Sequence, residues 1–455
     1  MNLVETKIHF VGIGGIGMSG IAEVLVNMGC RVSGSDALNN SQIERLKKFG
    51  VEVQIGHEKS HLPLECDAVV YSSAVKMTNP ELQEAKRRKI PVIQRAEMLA
   101  ELMRLKRGIA IAGTHGKTTT TSMTAAVMLA AKLDPTIVVG GRLDLIKSTA
   151  ALGKGEWFLA EADESDGSFL RLSPEIVVVT NIDNDHLDNY GDFSHLESAF
   201  GEFISKIPFY GRAILGIDSP PVEKLSRKHN KRILTYGFSP NAKLRAVEIK
   251  MENGIQFFSV LYDGKKLGFV NLHVPGYHNV LDSLAAIAVG LELQMDFKII
   301  SEGLSEFKGV DRRLQRRGEY KGVIIMDDYG HHPTEVVATL KGLRQLFPKK
   351  RIVTVFQPHR YTRTKICWDQ FLKCFKDSEV IGFLDIYSAG EKRIKGIDSK
   401  NLAKAVGKKH RNSFYWGDMT KAKSEIMGLV GEGDIVLTLG AGDVWKIGQD
   451  LCEQT

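Results

Sequence analysis

Cysteine is scarce in this chain. There are five in 455 residues (Cys30, Cys66, Cys367, Cys374 and Cys452), an odd number with no C-x-x-C pair. That excludes a disulfide-stapled secreted scaffold and a cysteine zinc ribbon, and it predicts free thiols in a reducing compartment. Long apolar runs are missing too. The longest apolar helix, around residues 122–133, is interrupted by Lys132 and is too short to span a bilayer. Met1 leads straight into Glu5 and Lys7 with no basic-then-apolar leader, so no secretory signal is read and a cytoplasmic location is expected. Nor is there a large excess of one charge, since 61 Lys+Arg against 54 Asp+Glu leaves +7. So modest a balance suits polyanionic small molecules as well as nucleic acid, and much of it sits inside the motifs below. Small-molecule substrates are expected, with no nucleic-acid or membrane partner, on a monomer or homodimer; these expectations rest on the motifs below and not on the charge balance. What remains is an ordinary globular composition, 43% hydrophobic and 25% charged, long enough for roughly two to four domains.

The stretch that organises the chain is Ile109–Ala130, IAIAGTHGKTTTTSMTAAVMLA. An apolar strand breaks at Gly113-Thr114-His115-Gly116-Lys117-Thr118-Thr119 and runs into a helix-competent segment. A strand that empties through a glycine turn into a helix N-terminus aims backbone N–H groups and a positive dipole end at one point. Lys117 adds a cation there, and the Thr118 hydroxyl adds an oxygen for Mg²⁺. The common spacing GxxxxGK[ST] is not met, because Ile111 stands where its first glycine should be. The loop is a shorter phosphate-binding turn, and an ATP or GTP site is expected.

A second glycine fingerprint precedes it. Strand Lys7–Val11 runs into Gly12-Ile13-Gly14-Gly15-Ile16-Gly17, then a helix over Met18–Met28 and a strand from Cys30 that closes at Ser35-Asp36. G-x-G-x-x-G followed by an acid about twenty residues on is the fingerprint of a Rossmann half. The amides of Gly14, Gly15, Ile16 and Gly17 suit a diphosphate, with Asp36 accepting from a ribose or base donor and Ser72 and Ser73 closing the next strand, Ala68–Tyr71. A UDP-sugar meets these demands as well as NAD does, so a nicotinamide oxidoreductase competes at this point. A nucleotide-binding regulator without turnover is a second rival.

The remaining polar clusters follow apolar strands. Trp157–Ala160 leads to Glu161-Ala162-Asp163-Glu164-Ser165-Asp166, where Glu161 is the candidate metal carboxylate and Glu164 is left open between a site role and a solvated charge. Ile176–Thr180 leads to Asn181-Ile182-Asp183-Asn184-Asp185-His186, and the company of carboxylates makes His186 a candidate metal ligand or metal-orienting group. Lys243–Val274 holds two turn signals, Asn253-Gly254 and Asp263-Gly264, between β-rich runs, and reads as a small antiparallel layer packed against the domain. Asn279, near a helix start, is either a cap or a reader of the adenine edge. Strand 322–326 ends in Asp327-Asp328-Tyr329-Gly330-His331-His332-Pro333, and Ile352–Phe356 ends in Gln357-Pro358-His359-Arg360-Tyr361-Thr362-Arg363. Arg360 and Arg363 are three apart, so if helical they share a face and suit a carboxylate or phosphate.

Taken in order, GIGGIGMSG (12–20), GTHGKTTTT (113–121), EADESDGSF (161–169), NIDNDHLDNY (181–190), GYHNVLDSLAA (276–286), GVDRRL (309–314), DDYGHHPTE (327–335) and FQPHRYTRT (356–364) resemble the Mur ligase family over essentially the whole chain. The resemblance implies an α/β protein of three domains. These are a Rossmann-like UDP-sugar-binding domain at 1–107, a central ATP-binding domain at 108–308 of phosphate-loop type with the small antiparallel layer, and a Rossmann-like amino-acid-binding domain at 309–455. It implies an ATP-dependent ligase that adds L-alanine to UDP-N-acetylmuramate through an acyl phosphate, in peptidoglycan precursor synthesis. It further implies Lys117 and Thr118 on phosphates and Mg²⁺, Glu161 and His186 on metal, Asn279 on adenine, Arg313 on the γ-phosphate and Asp328 on the nucleotide ribose. Tyr329, His331, Arg360 and Arg363 would line the amino-acid end. Two departures stand out. The second polar residue of the helix signature, usually Asn, is Asp282. The region where several relatives carry a carbamylated lysine reads Phe200-Gly201-Glu202. A relative that attaches a recycled peptide to the same sugar, and a folate-polyglutamate type ligase, are same-class alternatives.

Overall fold

A computed structural model describes residues 4–143, 145–185 and 187–453. The chain forms two compact units, one of residues 1–248, 258–270 and 281–307, the other of residues 249–257, 271–280 and 308–455.

The first unit opens with a five-stranded sheet of β1 (Lys7–Val11), β2 (Arg31–Asp36), β3 (Glu52–Ile55), β4 (Ala68–Tyr71) and β5 (Val92–Gln94), in the order β3-β2-β1-β4-β5. Every pairing is parallel. Phe10, Val11, Val69 and Val70 are fully buried, which is why β4 reads as a continuous apolar run; in β1 the run is interrupted by His9, which is buried beside Glu81 and Ser33. The order reverses between β1 and β4, and ligands bind past the strand ends at such a switch point. The glycine turn follows β1 there, and a Cβ added at Gly12 would lie 3.1 Å from that of Ser72, so the two loops touch. The first helix spans Ile16–Asn27, beginning two residues before the expected Met18 because Gly15 is already its extended cap.

The central sheet has ten strands: β6 (Arg107–Ala112), β7 (Thr136–Leu143), β8 (Ser148–Ala151), β9 (Trp157–Glu161), β10 (Ile176–Val179), β11 (Arg212–Gly216), β12 (Ile233–Gly237), β13 (Leu244–Glu252), β14 (Ile255–Tyr262) and β15 (Lys265–Leu272). Their order is β15-β14-β13-β12-β11-β10-β6-β9-β7-β8. β6 lies between β10 and β9, parallel to both, so the three expected nucleotide-site loops leave one sheet edge side by side. The antiparallel layer is present, but β13–β15 continue the sheet beyond β12 rather than packing on it. Its hairpin turns put Asn253 and Gly254 at φ 51° and 79°, and Asp263 and Gly264 at 46° and 77°, the two-residue geometry that suits strand twist. β7, β8, β11 and β12 have no counterpart in the sequence reading, since none ends in a motif. The β7–β8 hairpin ties this sheet to the first helix: Glu23 accepts from Ser148 Oγ at 2.8 Å and from Arg45 at 2.7 Å.

The second unit carries β16 (Gln315–Tyr320), β17 (Val323–Asp328), β18 (Ile352–Phe356), β19 (Val380–Leu384), β20 (Ser413–Gly417) and β21 (Ile435–Leu439) in the order β16-β17-β21-β18-β19-β20. Only β16 runs antiparallel to its neighbour. Phe356 packs on Phe371, Phe375 and Phe383 with ring centroids 5.2–5.9 Å apart, so β18 is fixed from below while its polar end stays at the sheet edge.

Candidate active site

The turn after β6 is shaped by its glycines. Gly113 sits at φ +135°, with the position of a Cβ only 2.0 Å from Thr180 Oγ1, and Gly116 at φ +81°, where a Cβ would lie 2.5 Å from Asp282 Oδ1. Both positions strongly favour glycine. The helix Lys117–Ala130 follows, so the amides of Lys117, Thr118 and Thr119 fall in a first turn that offers no intrahelical acceptor. The backbone amides of Thr114 and His115 find acceptors within the protein. Thr114 N donates to Asn181 O at 3.0 Å and His115 N to Asn181 Oδ1 at 2.9 Å, so these two amides brace the turn against the loop after β10. His115 Nε2 also lies 3.0 Å from Asp183 Oδ2.

Lys117 Nζ donates to Gly113 O at 2.7 Å, to Thr114 O at 3.2 Å and to Glu164 Oε1 at 2.9 Å. Glu164, left open by the sequence, is fully buried and is no solvated charge. Burial pushes its pKa up to about 7, against the pull of Lys117. Burial also works against charge on Lys117, but Glu164, Asp163 and Glu161 outweigh it and hold the ammonium above its ordinary pKa. Glu161, the last residue of β9, accepts from Thr118 Oγ1 at 2.9 Å and from Gly140 N at 2.8 Å. Asp282 lies under the loop and accepts from Thr120 Oγ1 at 3.0 Å. His186 lies outside the described residues.

At the first sheet, Asp36 Oδ2 accepts from Gly14 N at 2.8 Å and Asn40 Nδ2 donates to Gly14 O at 3.1 Å. Asp36 thus shapes the turn, and the Gly14 amide is turned inward to it; the expected role of Asp36 as acceptor from a ribose or base donor remains a separate proposal. Ile16 and Gly17 are the first two residues of the helix, whose first-turn amides have no intrahelical acceptor. Gly15 N points to Gly12 O at 3.4 Å, Ser72 is half-buried, and Ser73 is exposed. Beneath the turn is a buried group that the sequence reading missed. Glu81 accepts from Ser35 Oγ at 2.7 Å and lies 2.7 Å from His9 Nε2 and 2.8 Å from His57 Nδ1. Ser35 O in turn accepts from Gly12 N and Ile13 N at 2.8 and 3.0 Å.

In the second unit, Asn279 is the third residue of the helix Tyr277–Glu292 rather than its cap, and its side chain donates to Pro275 O. Asp327 and Asp328 belong to β17 and do not follow it. Asp328 accepts from Leu314 N and Gly330 N, both at 2.7 Å, so it ties the Arg313 segment to the strand end; burial pushes its pKa up to about 6. The Tyr329 ring lies 5.0 and 5.2 Å from the guanidinium carbons of Arg312 and Arg313. A run of rings then crosses the edge of the sheet: Tyr329 to His331, His331 to His359, and His359 stacked on Tyr387, each 5.5 Å apart.

Arg363 Nη1 lies 3.3 Å from His359 Nδ1, and Arg360 Nε donates to Glu391 Oε1 at 2.6 Å. The fold therefore brings Tyr329, His331, Arg360 and Arg363 to one end of the sheet. Arg360 does not share a helical face with Arg363, however, because it precedes the helix Tyr361–Ile366 at φ 69°. Tyr387 and Glu391 were not anticipated. Their signal was there: Asp385–Glu391 is another polar run after an apolar strand, β19.

The fold and these strand-end loops define an ATP-dependent acid–amine ligase. Three family descriptions match in sequence order: the Mur ligase catalytic domain at residues 7–107, the Mur ligase middle domain at 111–290 and the Mur ligase glutamate ligase domain at 312–442. The chain belongs to the Mur ligase family. It is 50% identical over 455 residues, the whole of both chains, to UDP-N-acetylmuramate–L-alanine ligase of Bdellovibrio bacteriovorus. It is 52% identical over 450 residues, 98% of each chain, to the ligase of the same name from Geotalea daltonii. Among solved structures, UDP-N-acetylmuramate–alanine ligase of Thermotoga maritima superposes with a TM-score of 0.85 at 28% identity, covering 98% of both chains.

Proposed function

We propose that this enzyme joins L-alanine to UDP-N-acetylmuramate, converting ATP to ADP and phosphate, in peptidoglycan precursor synthesis. The observation that carries the reading is the 50% identity over the full 455 residues to a ligase of that name. The sugar carboxylate attacks the γ-phosphorus and ADP leaves. The amine of L-alanine then attacks the acyl carbon, and phosphate departs as the amide forms. Two anions meet in the first step, so cations must offset their repulsion. Lys117 and Arg313 are assigned that work, with the first-turn amides of the Lys117–Ala130 helix on the phosphates. Asn279 and Asp328 are assigned to the adenine and ribose ends, Ile16, Gly17 and Ser72 to the uridine diphosphate, and Tyr329, His331, Arg360 and Arg363 to the amino acid.

Thr118 Oγ1 and Glu161 Oε2 are 2.9 Å apart at the helix start, a pair of hard oxygen donors that fits Mg²⁺. When bound, the ion would neutralise charge on the phosphates and polarise them for attack. Three functional domains at 1–107, 108–308 and 309–455 follow from this division of labour. Among the described residues no helix is long and apolar enough to cross a membrane. The same reading places the reaction in the cytoplasm, on a monomer or homodimer.

Phosphate release with ATP and UDP-N-acetylmuramate, screened over L-alanine, glycine, L-serine and a recycled tripeptide, tests it. L-alanine should be fastest. Release with the tripeptide alone would make the enzyme a peptide-recycling ligase. Nucleotide binding without turnover, or hydride transfer to NAD, would remove it from this activity altogether.

A further inference from the structure

Arg360 is in an unusual position for a residue asked to hold a substrate. Its backbone lies at φ 69°, ψ 136°, a left-handed conformation that a non-glycine residue adopts only when its surroundings hold it there. Glu391 supplies much of that hold. Oε1 accepts from Arg360 Nε and from Thr362 Oγ1, each at 2.6 Å, and Oε2 accepts from Thr362 N at 3.0 Å. One carboxylate therefore grips the guanidinium of the strained residue and the backbone two residues on. Arg360 N donates to Tyr387 O at 2.8 Å, and Tyr387 N to Pro358 O at 2.9 Å, so the loop bearing Glu391 is laced to the loop bearing Arg360. The Glu391 side chain is 15% exposed and that of Arg360 29%. Burial alone would raise the pKa of Glu391, but Thr362 and Arg360 outweigh it, so the carboxylate stays ionised as an acceptor for both.

We infer that Glu391 is a positioning residue for the amino-acid step: it orients the Arg360 guanidinium, through its Nε edge, to receive the substrate carboxylate. The inference rests on the reading of Arg360 as part of the amino-acid site. A guanidinium recognises a carboxylate by a planar fork of N–H groups, so fixing its plane decides whether the fork meets the ligand. The hydrogen bonds of the Glu391 carboxylate fall on Arg360 and Thr362, in the segment assigned to the amino acid.

The test is steady-state kinetics of the full enzyme with each substrate varied in turn, for Glu391→Ala, Glu391→Gln, Arg360→Ala and the double variant Arg360→Ala/Glu391→Ala. Glu391→Ala should raise KM for L-alanine roughly ten- to hundredfold, the scale of a charge-assisted hydrogen bond. KM for ATP and UDP-N-acetylmuramate, and kcat at saturating alanine, should stay within about threefold of the parent. Glu391→Gln keeps the shape and one carbonyl acceptor, so it should fall between, and it carries the test if the alanine variant does not fold. The double variant should match Arg360→Ala in KM for alanine, because Glu391 acts through that arginine. If Arg360→Ala raises KM for alanine while neither Glu391 variant does, the positioning role is wrong and the site reading stands. If the Glu391 variants raise all three KM values together, or the double variant multiplies the two single effects, Glu391 does not act through Arg360. If Arg360→Ala leaves KM for alanine unchanged, the assignment of Arg360 to the amino acid falls, and this inference with it.

Discussion

Lys117 Nζ lies 2.9 Å from one carboxylate oxygen of Glu164 and 2.7 Å from the other, and the Lys117 side chain is 13% exposed while that of Glu164 is 0%. The cation of the phosphate loop is thus held by a carboxylate that water does not reach. The attraction is strong because the dielectric is low, and the same low dielectric makes either partner costly alone.

Removing both members of this pair should therefore cost less than the two single removals added together. Lys117→Ala and Glu164→Ala should each lower unfolding free energy by about 3–5 kcal/mol, and the double variant by clearly less than their sum. Urea titrations of the three proteins check this; additive losses would mean that the pair is not coupled. Lys117→Ala should also slow ligation by roughly 10²–10³-fold, the scale for losing one transition-state stabiliser.

Gly113 stands against Thr180 Oγ1, which donates to His115 O at 2.7 Å and so holds the loop in place. Gly113→Ala should introduce about 1–3 kcal/mol of backbone strain, with a steric clash in addition. Calorimetry should find ATP affinity reduced and the unfolding midpoint lowered. An alanine variant that binds ATP normally would show that the loop does not need this conformation.

Asp328 sets a pH dependence. Its pKa rises from an ordinary 3.8 to about 6 on folding, because burial disfavours the carboxylate. A raised folded-state value means that the native state holds the proton more tightly, so this contribution is full below about pH 4 and is lost as pH climbs through about 6. At about 1.4 kcal/mol for each factor of ten in acidity, the change is worth up to about 3 kcal/mol. Asp328→Asn does not titrate, so the wild type should lose stability relative to it between pH 4 and pH 7. Denaturation at a series of pH values measures the difference, and a constant gap would refute the assignment.

Glu81 supports the first glycine turn through Ser35. Glu81→Ala would leave His9 and Ser35 buried beside an empty acceptor, at about 1–3 kcal/mol for each unsatisfied group. Because Ser35 O holds the amides of Gly12 and Ile13, affinity for UDP-N-acetylmuramate should fall as well, with KM for L-alanine unchanged. Binding of the uridine sugar that survives intact would separate this network from the turn.

Much of the scaffold was legible because it is local. Strands Ile352–Phe356 and Ile435–Leu439 occur where their apolar runs are, and Pro333 opens the helix after β17 as its fixed φ favours. Two misplaced strand ends share one cause: a polar residue can finish a strand when its side chain finds buried partners. Glu161 does so against Thr118 and Gly140, and Asp328 against Leu314 and Gly330. Strands β7, β8, β11 and β12 were missed because their role is to complete a sheet, and pairing partners distant in sequence leave no periodicity of their own.

The sequence by itself determined the class of chemistry, because a glycine turn between strand and helix, a following Lys-Thr and polar runs past apolar strands can be recognised from neighbours a few residues apart. Only the tertiary structure decided which polar groups are taken up by partners within the protein. Asp36, His115, Glu164 and Asp282 look alike on paper as site residues, yet each is held by a partner that the chain brings from elsewhere. The physical reason is burial: a carboxylate's task depends on the donors that replace its lost water, and those donors are chosen by the fold.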